Sequence, residues 1–167
     1  MRLVVFLAFM LFWSDAFIIG LAKDKLGMYP VPNRKYVVVV DYSKPIDEER
    51  LYLVDVIGCK VVMRSVVSHG INSGGKYAVS FGNEEGSLKS SLGCYKTGKV
   101  YYGQYGKSLV LYGLDSENSN AKSRHIIFHG NGKMIGKWSW GCFATPDSTN
   151  ERLIGLIKNG CLVYVRN

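Results

Sequence analysis

The sequence predicts a mainly β domain with one short helix near its C-terminal end. Short runs rich in β-branched and aromatic residues recur between glycines, which is typical of strands joined by tight turns. The chain contains 19 glycines in 167 residues, a number that suits an all-β fold with many turns. Only the segment after residue 147 has the apolar spacing of a well-marked helix. A chain of this length can form one hydrophobic core, and no repeat indicates a second folded domain.

Seven strands are predicted from these runs. In chain order they cover residues 36–41, 51–56, 60–67, 100–102, 108–112, 125–128 and 161–165. In the sixth strand, simple alternation places Ile126 and Phe128 on one face and Ile127 and His129 on the other. The same alternation puts His125 on the face of His129.

The helix is predicted from a start signal, an apolar face and a stop signal. Ser148 and Glu151 have the spacing of a capping box, and apolar residues between 153 and 157 form one face. Asn159 and Gly160 favour a left-handed end to the helix. Because this helix follows Cys142 closely in sequence, we expect it to pack beneath the loop that contains Cys142.

The N-terminal segment 1–22 is interpreted as a signal peptide or an N-terminal anchor. Arg2 precedes an unbroken apolar run over residues 3–13, which is too short to span a bilayer but suits a signal-peptide core. Small residues that end at Ala16 or at Ala22 have the spacing of a signal-peptidase cleavage site. The apolar residues 17–19 instead favour an uncleaved anchor. Either alternative predicts export to the periplasm or cell envelope. An N-terminal strand of the fold is a third alternative, which Asp15 disfavours.

A linker is predicted over residues 23–34, because Pro30 and Pro32 disfavour regular structure. The folded domain is therefore expected to cover residues 35–167.

The formal net charge of +8 attracts the protein to polyanions. An anionic cell wall or membrane surface fits an exported protein, which predicts peripheral association with one of them. Alternatively, the surplus lysines serve only solubility. No basic stripe with interleaved aromatic residues is found, so we expect no nucleic-acid partner.

The four cysteines, Cys59, Cys94, Cys142 and Cys161, show no C-x-x-C spacing. We therefore predict no metal site and no cofactor. If Cys142 is a nucleophile, at most one disulfide can form among the other three, and its pairing stays open.

The tetrapeptide from Ser139 to Cys142 and the dipeptide His129-Gly130 carry the chemistry. A thiol becomes a strong nucleophile when a base, most often an imidazole, takes its proton. Gly141 leaves the backbone beside the sulfur uncrowded, so the amides of Gly141 and Cys142 are candidate oxyanion donors. A buried, inert thiol in a β-hairpin is the alternative interpretation of Cys142.

The stretch from Tyr36 to Pro146 resembles a known family, the murein L,D-transpeptidase catalytic domain, in the branch of the YkuD superfamily with an S-x-G-C nucleophile motif. Matching positions come in a fixed order along about two-thirds of the chain. They are 40–45, 50–55, 69–70, 73–74, Phe81, Asn83, 86–93, Tyr95, 97–98, Tyr101, Gly103, Gly106, 108–109, 113–114, 120–121, Arg124, 129–130 and 139–142.

The resemblance implies a β-sandwich-like catalytic fold and a reaction. Cys142 would attack a peptidoglycan tetrapeptide stem at its third, diamino residue and expel the terminal D-alanine, forming a thioester. An amine of a second stem, or water, would then capture the acyl group. His129 would be the base, with Gly130 supplying a carbonyl or a tight turn beside it. A thiolate–imidazolium pair would hold the pKa of Cys142 below its free value of about 8.5.

Four further residues are candidates for substrate binding. Arg124 and His69 match family positions. The resemblance implies that Arg124 would bind a carboxylate of the stem peptide. Ser139 would hydrogen-bond within the loop or to substrate, and Trp140 would either wall the acyl pocket or belong to the core.

The sequence departs from the family pattern at three places. Trp138 stands where an arginine is common, Phe143 where a proline is common, and the stretch between His129 and Ser139 is short. A shortened lid would admit water and favour hydrolysis. L,D-carboxypeptidase or endopeptidase activity, an inactive wall-binding protein and an unrelated exported cysteine protease therefore remain alternatives. We expect a monomer that binds peptidoglycan stem peptides.

Overall fold

The structure, a computed structural model, describes the backbone of residues 2–132 and 137–167 and the side chains from Asp15 onward within them. In chain order the elements are α1 (Arg2–Met28), β1 (Asn33–Asp41), β2 (Leu51–Asp55), β3 (Lys60–Ser65), β4 (Gly93–Gly103), β5 (Gly106–Gly113), β6 (Ile127–Gly130), β7 (Phe143–Thr145), α2 (Asp147–Ile157) and β8 (Cys161–Arg166). Single 3-10 turns lie at Ile71–Ser73 and Ser116–Asn118.

The eight strands form one sheet in the order β3-β2-β1-β8-β4-β5-β6-β7. Neighbouring strands are antiparallel except for β1 with β8 and β6 with β7, which are parallel. The prediction of a mainly β fold with a short C-terminal helix is therefore confirmed.

The two ends of this sheet meet. The segment that follows β3 in the chain lies beside β7 and the loop before it. There the Ser68 amide donates to the Ala144 carbonyl at 2.9 Å. The Ser139 amide donates to the His69 carbonyl at 2.9 Å, and the Ile71 amide donates to the Ser139 carbonyl at 2.8 Å. Because β7 is a terminal strand of the sheet, these bonds satisfy backbone groups that would otherwise form an open edge.

Both faces of the central strands are buried, in two separate cores. Val38 and Val40 of β1 face the inner core together with Leu153 and Ile154 of α2, and Val37 faces the outer core beneath α1. A strand buried on both faces is apolar throughout rather than alternating. This explains the uninterrupted valine run that marks β1 in the sequence.

Helix α1 covers the outer core with a stripe of residues four positions apart. Ile18, Ala22 and Leu26 are all buried, and Asp15 forms an ion pair with Arg64 of β3 at 2.5 Å. Among the described residues, no helix has the length and apolar character needed to cross a membrane.

The predicted linker over residues 23–34 is wrong for its first half, which is helical to Met28. Leu26 continues the apolar stripe of α1, so packing on the sheet stabilises the helix there. The two prolines lie beyond its end, where they cannot interrupt it.

Three local predictions are also corrected. Helix α2 begins at Asp147, with Pro146 as its N-cap residue and no side-chain cap, so the capping box is wrong. His125 precedes β6 with a φ of 55° and is exposed, so strand alternation does not apply to it. Strand β7 was not predicted, because three residues are too few for a pattern.

All four cysteines are free in the structure. Cys94 faces the outer core and Cys161 faces the inner core, so the sheet separates them. Cys59 lies exposed in the turn between β2 and β3.

We predict that Ile18→Ala lowers the free energy of unfolding by about 2–4 kcal/mol, because it removes buried apolar atoms from the outer core. Urea unfolding of the full chain measures this loss. The control is Leu156→Ala in α2, whose side chain is 37% exposed and should lose much less. Equal losses for the two variants would show that α1 does not pack on the sheet.

Candidate active site

The loop before β7 is shaped by a serine and a glycine. The Ser139 hydroxyl donates to the Cys142 carbonyl at 2.7 Å and accepts the Gly141 amide at 3.1 Å. Gly141 has a φ of 110°, and a Cβ there would lie 2.7 Å from the Lys89 carbonyl oxygen. Glycine is therefore required at this position for backbone reasons, and Ser139 is an internal brace of the loop.

Ser68 is a second brace, which the sequence interpretation missed. Its hydroxyl donates to the same Cys142 carbonyl at 3.1 Å and accepts the Ala144 amide at 3.0 Å. The two serines hold the backbone carbonyl of Cys142 from both sides. The only signal in the sequence is that Ser68 directly precedes the matched dipeptide His69-Gly70.

The Cys142 thiol is half-buried against the segment that leads into β6. Its Sγ donates to the His125 carbonyl at 3.5 Å. Burial raises the pKa of Cys142, while the Ile127 amide and the Arg124 guanidinium oppose that rise. Near neutral pH the thiol form is therefore favoured in the resting protein.

The His129 side chain is 3% exposed and has a defined proton position. Its Nδ1 lies 2.7 Å from the Gly130 carbonyl oxygen, which can only accept, so Nδ1 carries the proton and Nε2 is left as the basic atom. The ring of Tyr105, from the tip of the β4–β5 hairpin, stacks on the imidazole at 4.5 Å. Burial lowers the pKa of His129, although the Gly130 carbonyl and Asp147 oppose that shift.

The strand register brings the thiol and the imidazole to neighbouring positions. His129 pairs with Ala144, two residues after Cys142, and the thiol lies against residues 125 and 127, just before His129 on the same chain segment. Two residues along a strand span about 6.6 Å and point to the same face. Within residues 2–132 and 137–167, no hydrogen bond joins the two side chains.

The pKa shifts of the two groups oppose the expected thiolate–imidazolium pair in the resting protein. Burial shifts the pKa of Cys142 upward and that of His129 downward, so both shifts favour the neutral forms. The physical reason is that desolvation penalises each charge before any partner touches it.

Of the two predicted oxyanion donors, only one is available. The Gly141 amide is bound by the Ser139 hydroxyl. The Cys142 amide donates no hydrogen bond within the described part of the chain. It is therefore the backbone donor that remains beside the sulfur.

His69 lies inside the protein. It is fully buried, its Nδ1 accepts from the Arg50 guanidinium at 2.9 Å, and its Nε2 bonds to the Gly74 carbonyl at 3.1 Å. Arg50, which is also fully buried, donates to the Val67 carbonyl at 2.7 Å. Both ring nitrogens of His69 are thus used to hold the segment that closes the sheet, and neither faces a substrate.

Arg124 is largely committed to the protein. Its guanidinium donates to the Gly82 carbonyl at 3.0 Å, to the Ser91 hydroxyl at 3.2 Å and to the Lys89 carbonyl. It also lies 3.0 Å from the position of a Cβ on Gly141. The positive charge therefore stands beside the loop of Cys142, where it lowers the pKa of the thiol against the larger effect of burial.

The aromatic residues around Cys142 have different environments. Trp140 is 73% exposed, so the core alternative for this residue is wrong. Trp138 donates its indole N–H to the Gly75 carbonyl at 3.1 Å. Phe143 is fully buried and packs against Phe128 with tilted rings whose centroids are 5.1 Å apart, which explains the large aromatic residue at this position.

The short stretch between His129 and Ser139 includes residues 133–136, which lie outside the described residues. Among the side chains that the structure describes, no cluster of three or more metal-binding groups occurs.

Solved structures share this fold at low sequence identity. The helical cell shape determining protein Pgp2 from Campylobacter jejuni is 15% identical, with a TM-score of 0.56 over 83% of this chain and 49% of that one. Bd1075 from Bdellovibrio bacteriovorus is 16% identical, with a TM-score of 0.54 over 79% of this chain and 48% of that one. An L,D-transpeptidase from Mycobacterium smegmatis is 10% identical, with a TM-score of 0.51 over 80% of this chain and 59% of that one. The chain thus spans about half the length of these proteins.

A search among functionally curated proteins gives no match. The family model described as an L,D-transpeptidase catalytic domain matches residues 22–165. Since this match covers far more than half of the 167 residues, the chain belongs to the L,D-transpeptidase catalytic domain family.

Proposed function

We propose that this protein is a cysteine-dependent peptidoglycan L,D-transpeptidase, with Cys142 as nucleophile and His129 as base. The observation that carries the proposal is the pairing of a doubly braced Cys142 peptide with a histidine whose Nε2 is free to accept a proton. Family membership supports the general activity, which is modification of peptidoglycan stem peptides in the cell wall.

In the first half-reaction, a neutral thiol and a neutral imidazole are the starting forms. His129 Nε2 takes the thiol proton as the sulfur forms a bond to the carbonyl carbon of the stem's diamino residue. The Cys142 amide stabilises the resulting oxyanion. When the tetrahedral intermediate collapses, the C–N bond to D-alanine breaks, and the imidazolium gives its proton to the departing amine. A thioester remains on Cys142.

In the second half-reaction, an amine of another stem attacks the thioester carbon and gives its proton to His129. The C–S bond breaks, and the proton returns to the sulfur. Arg124 stabilises the negative charge on the sulfur in both half-reactions, because its guanidinium stands beside the loop. Trp140, exposed next to the nucleophile, offers an apolar wall to the bound stem.

Hydrolysis of the same bonds is the second candidate. The exposure of Trp140 favours it, because one side of the nucleophile loop faces solvent in the absence of substrate. Water would then replace the amine in the second half-reaction, giving L,D-carboxypeptidase or endopeptidase activity. The ratio of cross-linked to trimmed muropeptides distinguishes the two outcomes.

We also propose that the protein acts as a monomer in the periplasm or cell envelope, and that α1 is retained there. Removal of residues 1–22 would take Ile18 and Ala22 from the outer core and leave that face of the sheet open. An uncleaved anchor agrees with this packing, and a leader cleaved at Ala22 does not.

We predict that Cys142→Ala abolishes conversion of tetrapeptide muropeptides while leaving the free energy of unfolding nearly unchanged. The loop is held by the backbone carbonyl of residue 142, so loss of the thiol leaves its braces intact. Removing a nucleophile typically lowers turnover by several orders of magnitude. Mass spectrometry of muropeptides measures the loss, with Cys59→Ala as the matched control. Full activity of the Cys142 variant would disprove the assignment.

A carbapenem should acylate Cys142 and add its mass to the protein, because a strained acyl donor traps the sulfur as a thioester. Intact-mass measurement detects the adduct, and peptide mapping places it. An adduct on exposed Cys59 instead would indicate nonspecific reaction.

Alkylation of Cys142 by iodoacetamide should show its inflection above the free-thiol pKa of about 8.5, because burial raises the pKa of the thiol. Arg124→Gln should move the inflection to still higher pH, since a cation that lowers the pKa is lost. Lys122→Gln, which removes an exposed positive charge two residues away, is the control. A wild-type inflection below the free-thiol value that disappears in His129→Ala would instead establish a resting ion pair.

A further inference from the structure

We propose that Asp147 is a positioning residue for His129 and acts through the turn at Gly130–Gly132. This inference rests on the proposed role of His129 as the base. Asp147 has no place in the matched motifs, and the sequence alone predicts no role for it.

The Asp147 carboxylate lies directly against the turn that follows β6. Its Oδ1 accepts the Gly132 amide at 3.0 Å. A Cβ built on Gly130 or on Gly132 would overlap a carboxylate oxygen of Asp147. Both glycines are therefore needed for the close approach of this side chain to the backbone.

The turn held by Asp147 contains the carbonyl that fixes the proton of His129. Gly130 accepts from His129 Nδ1 at 2.7 Å, and the next amide, that of Asn131, donates to the Thr145 carbonyl at 3.0 Å. A shift of the turn would move the Gly130 carbonyl and release the ring. Asp147 thus corresponds to the acid that orients the base in a nucleophile–base–acid triad. It acts on His129 through the backbone of the Gly130–Gly132 turn rather than by direct contact.

The charge of Asp147 also reaches the imidazole. It raises the pKa of His129 against the larger opposite effect of burial. Among the residues that the structure describes, the other titratable groups beside His129 are Tyr105, which stacks on the ring, and Cys142 on the facing segment.

Lys107 and Glu151 line, together with Asp147, a cavity of about 400 Å³ beside the turn, and they pair with each other at 2.9 Å. Asp147, whose carboxylate contacts the turn itself, is therefore the anion that should favour the imidazolium formed during catalysis.

The test is an NMR titration of the full chain with labelled histidines, in wild type, Asp147→Asn and Asp147→Ala. Asparagine keeps the acceptor for the Gly132 amide but removes the charge, whereas alanine removes both. Glu151→Gln, one turn further along α2, is the matched control for charge. Exposed His125 serves as the internal reference.

Asp147→Asn should lower the pKa of His129 by about half a pH unit or more, since a nearby opposite charge is lost. Asp147→Ala should in addition weaken the downfield Nδ1–H signal that reports the bond to Gly130. Glu151→Gln should change neither. A merely structural role, such as stabilising the first turn of α2, would alter unfolding but not these two signals.

The inference is overturned if Asp147→Asn shifts the His129 pKa no more than Glu151→Gln does, or if Asp147→Ala leaves the Nδ1–H signal unchanged. The titration needs no turnover, so it is independent of the muropeptide assay. Absence of wild-type turnover would refute the proposed function while the titration still decides the role of Asp147.

Discussion

The fold depends on the contact between the two ends of the sheet, which meet at the backbone carbonyl of Cys142. The carbonyl of this residue accepts two hydroxyl groups, one from Ser139 in its own loop and one from Ser68 in the segment after β3. A buried carbonyl or amide without a partner costs about 1–3 kcal/mol, so these bonds specify where the ends join. These bonds hold the backbone carbonyl of Cys142, whereas its thiol has a separate contact with the His125 carbonyl at 3.5 Å.

The same contact between the sheet ends explains why buried polar residues cluster beside it. Arg50 and His69 are both fully buried, yet their donors and acceptors are satisfied by each other and by backbone carbonyls at Val67 and Gly74. A buried charge is tolerated only when it is hydrogen-bonded in this way. Here the Arg50 guanidinium holds the segment from Val67 to His69, and the His69 carbonyl in turn accepts the Ser139 amide of the loop that contains Cys142. A residue of the matched motifs thus supports the geometry of the candidate site without facing it.

The sequence predicted what is periodic and what is local. Valine-rich β1 and the stop signal of α2 at Asn159-Gly160 were found correctly, because burial on both faces and left-handed backbone leave clear patterns. Strand β7 and the role of Ser68 were missed, because both depend on a long-range join that no spacing records. The extent of α1 was missed for a related reason: its apolar stripe over Ile18 and Leu26 is a packing surface, which in sequence looks like the end of a leader.

The protonation of the side chains at the candidate site follows from their burial. Burial shifts the pKa of the Cys142 thiol upward and that of the His129 imidazole downward, so both shifts favour the neutral forms in the resting protein. Groups that favour the charged forms are accordingly placed on either side of the pair. Arg124 lies beside the loop of Cys142, where its charge favours the thiolate, and Asp147 lies against the turn after His129, where its charge favours the imidazolium. In the proposed mechanism such fixed charges would stabilise the charged forms without reorganisation, because the protein has already ordered them during folding.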